Sequence, residues 1–138
     1  MTKHKNPFVR TREDHQTEIA EDYVELIYRL GDPEPGSLVR TTDLVAELGV
    51  AQPTVTKTLD RLQRDGLVTV IPRQSVELTP AGRTLAEKSL ARHETIVNFL
   101  IQIGVPAQQA ELDTEGIEHH VSEVTLKAFE KFIDTRKK

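Results

Sequence analysis

The sequence has no cysteine and no tryptophan, one methionine, two tyrosines and four phenylalanines in 138 residues. Without cysteine there is neither a disulfide nor a thiolate metal site, so any metal must be held by oxygen and imidazole nitrogen. With aromatics at 4%, the core must come from Leu, Ile, Val and Ala, which suits packed helices. No apolar run approaches the roughly 20 residues that a membrane-spanning helix requires. The polar stretch from Met1 to Gln16 has no signal-peptide core, so no membrane partner is expected and the expected location is cytoplasmic. His-Glu-x-x-His, a Gly-rich phosphate loop and a Ser-His-Asp arrangement are also missing. The inverted zinc motif would need His at position 115, where Glu115 stands. These absences argue against an enzyme.

What is present is unevenly charged. The net charge is −4, but residues 36–90 carry Arg40, Lys57, Arg61, Arg64, Arg73, Arg83 and Lys88 against six acids. Residues 91–120 set Arg92 alone against Glu94, Glu111, Asp113, Glu115 and Glu118. That pattern suggests a basic module followed by an acidic one. Length allows one ordinary domain or two small ones.

Residues 1–15 read as a mobile polar arm with Lys3, Lys5, Arg10 and Arg12. From Thr17, Ile19, Tyr23, Leu26, Ile27 and Leu30 fall on one helical face, and Asp32 to Ser37 reads as a loop. Thr41 or Thr42 can cap a short helix to Leu48, Gly49-Val50-Ala51 turns the chain, and a second helix runs from about Gln52 to Asp65. Leu67–Ile71 and Val76–Thr79 read as a hairpin. Thr79-Pro80 is a cap followed by proline at a first helical position, so a long helix is predicted to Ile103. Pro106 opens a short helix, and Ser122 caps a last one ending in Arg136-Lys137-Lys138.

Helix, three-residue turn, helix, hairpin is the order of a winged helix-turn-helix, whose second helix enters the major groove of DNA. Gln52, Pro53, Thr54, Thr56, Lys57 and Arg61 on that helix, and Arg73 at the hairpin tip, are the candidate DNA-binding residues. Their chemistry suits phosphates and base edges. The alternative is an ordinary helical hairpin with a solvated polar face. The expected fold is mainly α, with domains at 16–80 (winged helix-turn-helix with a small β-hairpin wing) and 81–138 (all-helical).

If Glu115-Gly-Ile-Glu-His-His120 is helical, Glu115, Glu118 and His119 stand at i, i+3 and i+4 on one face. Two carboxylates and an imidazole so placed could hold a borderline-to-hard divalent cation, or could be a solvated acidic face. Asp22 and Glu25 lie at i, i+3 on the first helix, away from Leu26 and Leu30; a favourable acidic first turn explains them equally well. His93 shares a face with Ala86, Leu90, Val97 and Leu100, where a satisfied core histidine is the commoner case.

Four segments carry a resemblance: Glu21-Asp-Tyr-Val-Glu-Leu-Ile-Tyr28, Gln52-Pro-Thr-Val-Thr-Lys57, Arg92-His93-Glu94, and Glu115-Gly-Ile-Glu-His-His-Val-Ser122. In this order, and over roughly residues 17–135, the chain resembles the manganese-responsive branch of the diphtheria-toxin-repressor family. The resemblance implies a transcriptional repressor that binds double-stranded DNA at a palindromic operator as a homodimer, its C-terminal domain serving dimerisation and metal binding. It further implies that Asp22, Glu25, His93, Glu115, Glu118 and His119 are metal ligands for two closely spaced Mn²⁺ ions, with Fe²⁺ a possible alternative. His120 matches a residue outside the direct ligand set. Iron-responsive relatives carry cysteine or methionine among their ligands, where this chain has Glu115 and Glu25; carboxylate and imidazole ligation suits the harder Mn²⁺. The tip Arg73-Gln74-Ser75 departs from the family by lacking its common glycine, and, as in the manganese branch, the SH3-like domain of the iron branch is not expected. An iron- or zinc-responsive repressor, a winged-helix repressor sensing a small organic ligand, and a metallohydrolase are the competing readings. Ile96, Leu100, Phe129, Phe132 and Ile133 are the candidate dimer interface, or else intramolecular core.

Overall fold

The computed structural model describes residues 7–31, 38–73 and 75–136, with side chains described from His15 onward. Six helices and one antiparallel hairpin follow one another: α1 (Pro7–Gly31), α2 (Thr41–Leu48), α3 (Gln52–Arg64), β1 (Val68–Ile71), β2 (Ser75–Leu78), α4 (Pro80–Gln102), α5 (Ala107–Ile117) and α6 (Glu123–Arg136). A single 3₁₀ turn, Glu118–His120, separates α5 from α6. The chain forms two compact units, His15–Glu87, and Lys88–Lys138 with the residues before His15. The mainly helical, winged helix-turn-helix architecture is as expected.

In the His15–Glu87 unit the apolar stripes meet. Tyr23, Leu26 and Ile27 of α1, Leu44 of α2, Val55, Leu59 and Leu62 of α3, and Val68 and Val76 of the hairpin form one buried cluster. Each fully buried aliphatic side chain there contributes roughly 1.5–3 kcal/mol. Gly49 closes α2 in the left-handed region at φ 66°, its N–H donating to Val45 O. That φ lets three residues reverse the chain before α3. The hairpin pairs Val68 with Leu78 through Ile71 with Ser75, and Val76 N–H donates to Val39 O at 2.7 Å, tying β2 to the segment before α2.

The start of α4 is built as the sequence predicts. Thr79 Oγ1 accepts the N–H of Gly82 at 3.1 Å and donates to Gly66 O at 2.6 Å, so one hydroxyl caps the helix and fastens it to the turn after α3. Pro80 then occupies the first helical position, where no N–H is required. The helix sits so close to that turn that a Cβ at Gly82 would lie 2.0 Å from Leu67 O.

One expectation needs correction. The arm expected over residues 1–15 is helical from Pro7 onward; proline suits a first turn, and Arg, Glu and Gln propagate a helix without an apolar stripe to reveal it. Residues 1–6, including Lys3 and Lys5, lie outside the described residues, as do the predicted loop at 32–37, Gln74 at the hairpin tip, and 137–138. At the boundary placed between residues 80 and 81, α4 runs unbroken, and the compact units divide between Glu87 and Lys88. Of the five apolar C-terminal residues read as a dimer face or as intramolecular core, Leu100, Phe129 and Phe132 are half-buried. Ile96 and Ile133 are buried, and Phe99 stacks on Phe129 at 3.9 Å with Phe132 edge-on at 5.4 Å.

Candidate metal centre and DNA-binding face

The Lys88–Lys138 unit gathers three of the six expected ligands. α4 supplies His93; α5 supplies Glu115 from its last turn; the 3₁₀ turn supplies Glu118. One ligand atom from each of His93, Glu115 and Glu118 lies within 4.8 Å of the others, a separation that a shared ion can span. The segment is not one continuous helix as the i, i+3, i+4 reading assumed. After Ile117 the backbone tightens into the 3₁₀ turn and Val121 is extended, a common way to end a helix. Arg92 Nη1 donates to Glu118 O at 3.3 Å, which helps fix this turn against α4.

Glu118 is the centre of the arrangement. Its side chain is only 3% exposed, with Oε2 2.6 Å from His93 Nδ1 and Oε1 3.4 Å from His119 Nε2. One buried carboxylate thus faces two imidazoles, one from each oxygen. Both ring nitrogens of His93 are engaged by carboxylates, since its Nε2 also meets Glu111 Oε2 at 2.8 Å. Burial disfavours the imidazolium, but the hydrogen bonds and charges of Glu111 and Glu118 outweigh it and raise the His93 pKa above its ordinary value of 6.5. Glu111, one turn before Glu115 on α5, was read only as part of the acidic balance; its i, i+4 spacing to Glu115 was the available signal. Asp22 and Glu25 belong to α1 in the other unit, Glu25 being buried.

The donor set fits a divalent ion of moderate hardness: carboxylate oxygens and imidazole nitrogen, clustered and partly withdrawn from water. Ligation requires His93 to be neutral. The sign of the pH effect follows. In the metal-free protein the proton on His93 stabilises the fold fully below its unfolded pKa of about 6.5, and that contribution is lost as pH rises through the elevated folded value. A bound cation competes with that proton, so apparent affinity should fall as pH is lowered through the elevated pKa, by up to about tenfold per unit for one displaced proton. Metal titrations between pH 6 and 8 measure this, and pH-independent affinity would exclude His93 as a ligand.

On α3, Gln52, Pro53, Thr54, Thr56 and Lys57 are all exposed, while Val55, Leu59 and Leu62 face inward. Arg61 departs from its expected outward placement: it is half-buried, and its Nη2 is enclosed with no hydrogen-bond partner among the described residues, because position 61 lies on the flank of the helix beside Leu62. Arg73 is exposed and adopts φ 64°, a left-handed conformation costing a non-glycine residue roughly 1–2 kcal/mol. The hairpin thus spends strain at the position where the sequence lacks a glycine. Arg73→Gly should therefore raise unfolding stability by about 1 kcal/mol while weakening DNA binding; a thermal melt beside a DNA titration measures both. A cleft of about 330 Å³ joins the starts of α2 and α3 to the hairpin and is lined by Arg40, Thr41, Gln52, Arg73 and Ser75. Arg40, which the sequence marks only as part of the basic balance, precedes α2 rather than lying on α3.

Known proteins share both halves. Residues 15–76 match the family described as iron dependent repressor, N-terminal DNA binding domain, and residues 79–138 match iron dependent repressor, metal binding and dimerisation domain. The chain is 48% identical over 132 residues to the transcriptional regulator MntR of Escherichia coli O6:H1, covering 96% of this chain and 84% of that protein. It is 37% identical over 102 residues to the regulator MntR of Geobacillus kaustophilus, covering 74% and 71%. A solved manganese-dependent transcriptional repressor in complex with manganese superimposes with a TM-score of 0.72 at 26% identity over 83% of this chain; the chain spans about half, 52%, of that protein's length. With its helix-turn-helix, its hairpin wing and a carboxylate–imidazole cluster in the matched metal-binding domain, the chain belongs to the iron-dependent, or diphtheria-toxin, repressor family and is a metal-dependent DNA-binding transcriptional repressor.

Proposed function

We propose that the metal is Mn²⁺, acting as co-repressor for genes of manganese homeostasis, and that the protein catalyses no reaction. The observation that carries this is the convergence of His93, Glu115 and Glu118 within 4.8 Å, in a chain whose relatives include MntR regulators. The donors are oxygen and imidazole nitrogen throughout, which manganese accepts well. His119 completes the set from the C-terminal unit, and Asp22 and Glu25 join it on the strength of their segment's match to the family's first motif. Two ions per subunit would be held by this set, with Glu118, which presents one oxygen to each of two histidines, among the residues that would hold them.

Carboxylates brought together without a counter-charge repel one another. A bound divalent cation supplies the charge that cancels this repulsion. Asp22 and Glu25 stand on the first helix of the DNA-binding domain and the other ligands on the C-terminal domain, so shared ligation couples the two domains. In a homodimer, the favoured arrangement is the one that sets two recognition helices into successive major grooves of a palindromic operator, about 34 Å apart. Gln52, Pro53, Thr54, Thr56, Lys57, Arg61 and Arg73 are the proposed DNA contacts, with the exposed apolar residues Ile103, Leu112 and Val124 available for self-association. No described helix is long and apolar enough to cross a membrane; a regulator of DNA works in the cytoplasm.

The test is a gel shift on manganese-transporter promoter fragments with Mn²⁺, Fe²⁺, Zn²⁺ or chelator. Mn²⁺-dependent retardation abolished by chelator is expected. Equal retardation in chelator removes the co-repressor role, and a response to Fe²⁺ or Zn²⁺ without Mn²⁺ reassigns the metal.

A further inference from the structure

We infer that Gln63 is a positioning residue for the wing: its side-chain oxygen pins β1 to the last turn of α3, and so sets where Arg73 stands relative to that helix. This deepens the reading above and rests on it for the role of Arg73. Gln63 lies in the last turn of α3, and its Oε1 accepts the N–H of Val70 at 2.9 Å. Because the donor is a backbone N–H, its partner must be the amide oxygen, which fixes the orientation of the amide. Only Ile71 and Pro72 separate Val70 from Arg73 at the hairpin tip.

The strand register explains why this bond matters. In an antiparallel pair, alternate residue pairs exchange their N–H and C=O groups, and the pairs between them turn theirs outward. Val70 pairs with Val76, and both turn outward: Val76 N–H donates to Val39 O at 2.7 Å, and Val70 N–H donates to Gln63. The hairpin is thus held from both edges at one level, β2 by backbone before α2 and β1 by a side chain of α3. Burial holds only its base. Val68 and Val76 are in the core, whereas Val70 and Ile71 are half-buried and Pro72 and Arg73 exposed, so β1 leaves the core as it nears the tip. A two-stranded hairpin is marginal by itself, and its direction then depends on such edge bonds. Gln63 is itself exposed, so the core places no demand on its side chain.

Gln63→Met keeps the length and helix propensity of the side chain but removes its oxygen, so the variant should stay folded, as a thermal melt would verify. Amide hydrogen exchange by NMR in the metal-free protein reads the bond. The Val70 amide should exchange faster in Gln63→Met while the Val76 amide stays protected, and Gln63→Glu, which keeps an acceptor, should restore the protection. Gel-shift titrations on the same promoter fragments in saturating Mn²⁺ read the consequence. Gln63→Met should weaken DNA binding roughly 2–10-fold, the size of one hydrogen bond's net contribution. In an Arg73→Ala background it should cost nothing further, because both changes act through one contact. Equal losses in the two backgrounds would overturn the inference, as would wild-type affinity or an unchanged Val70 amide in Gln63→Met. If wild type shows no Mn²⁺-dependent shift, or Arg73→Ala binds like wild type, the proposed function or its Arg73 contact falls. The Val70 exchange then decides by itself whether Gln63 holds the wing.

Discussion

Glu118→Ala should abolish metal-dependent DNA binding while leaving a folded protein. The side chain is 3% exposed and stands between His93 Nδ1 and His119 Nε2, so no other group can take its place without moving two elements. Removing a mere outer-shell partner costs roughly 10–100-fold in metal affinity, and removing Glu118 in its proposed role as a direct ligand should cost more than the upper figure. His93 would lose one of the two carboxylates that raise its pKa, so the pH dependence of the metal-free form should shift toward lower pH. Glu118→Gln separates charge from shape: it keeps the packing and should lose affinity nearly as far. Isothermal titration with Mn²⁺ and the gel shift together check this. Retained metal response in both variants would remove Glu118 from the site.

The second large effect concerns the fold alone. Gly82→Ala should destabilise the DNA-binding unit severely, because the new Cβ would lie 2.0 Å from Leu67 O and 3.2 Å from Leu78 Cδ2. The first contact is with backbone, which cannot rotate away. Relief requires the start of α4 to lift from the turn after α3, breaking the Thr79 Oγ1 bond to Gly66 O and the Thr79 N–H bond to Leu67 O. The cost should lie at or above the top of the roughly 1–3 kcal/mol range for overpacked sites. In a unit of this size that lowers the melting temperature by about 10 °C or more. A calorimetric melt of Gly82→Ala beside Gly116→Ala, where added Cβ meets nothing within 4 Å, isolates the clash from general helix effects. Equal melting of the two variants would show that α4 can shift freely.

The element order was legible because each signal was local. Thr79-Pro80 announced the start of α4, Gly49 the helix-turn-helix reversal, and the alternation around Val68 and Val76 the hairpin. The helical start at Pro7 was not legible, since residues 7–15 have no apolar stripe to mark a helix. Nothing in the sequence marks Gly82, whose importance depends on a carbonyl brought near by the fold. The exposure of Gln52, Pro53, Thr54, Thr56 and Lys57 was legible, because it follows from helical phase relative to Val55, Leu59 and Leu62. Arg61, on the flank of that phase, was not.

The sequence by itself determined the ligand chemistry: with no cysteine, only carboxylates and imidazoles remained, and their motif spacings carried the family. Tertiary structure alone decided the roles within it. Glu115, Glu118 and His119 were three residues on one supposed helix face until the 3₁₀ turn aimed Glu118 at two histidines. Glu111 was one acid among several until α5 packed it against the far nitrogen of His93, 18 residues away. Hydrogen bonds across such separations depend on how helices pack, and helical periodicity describes only the face a residue shares with its own neighbours.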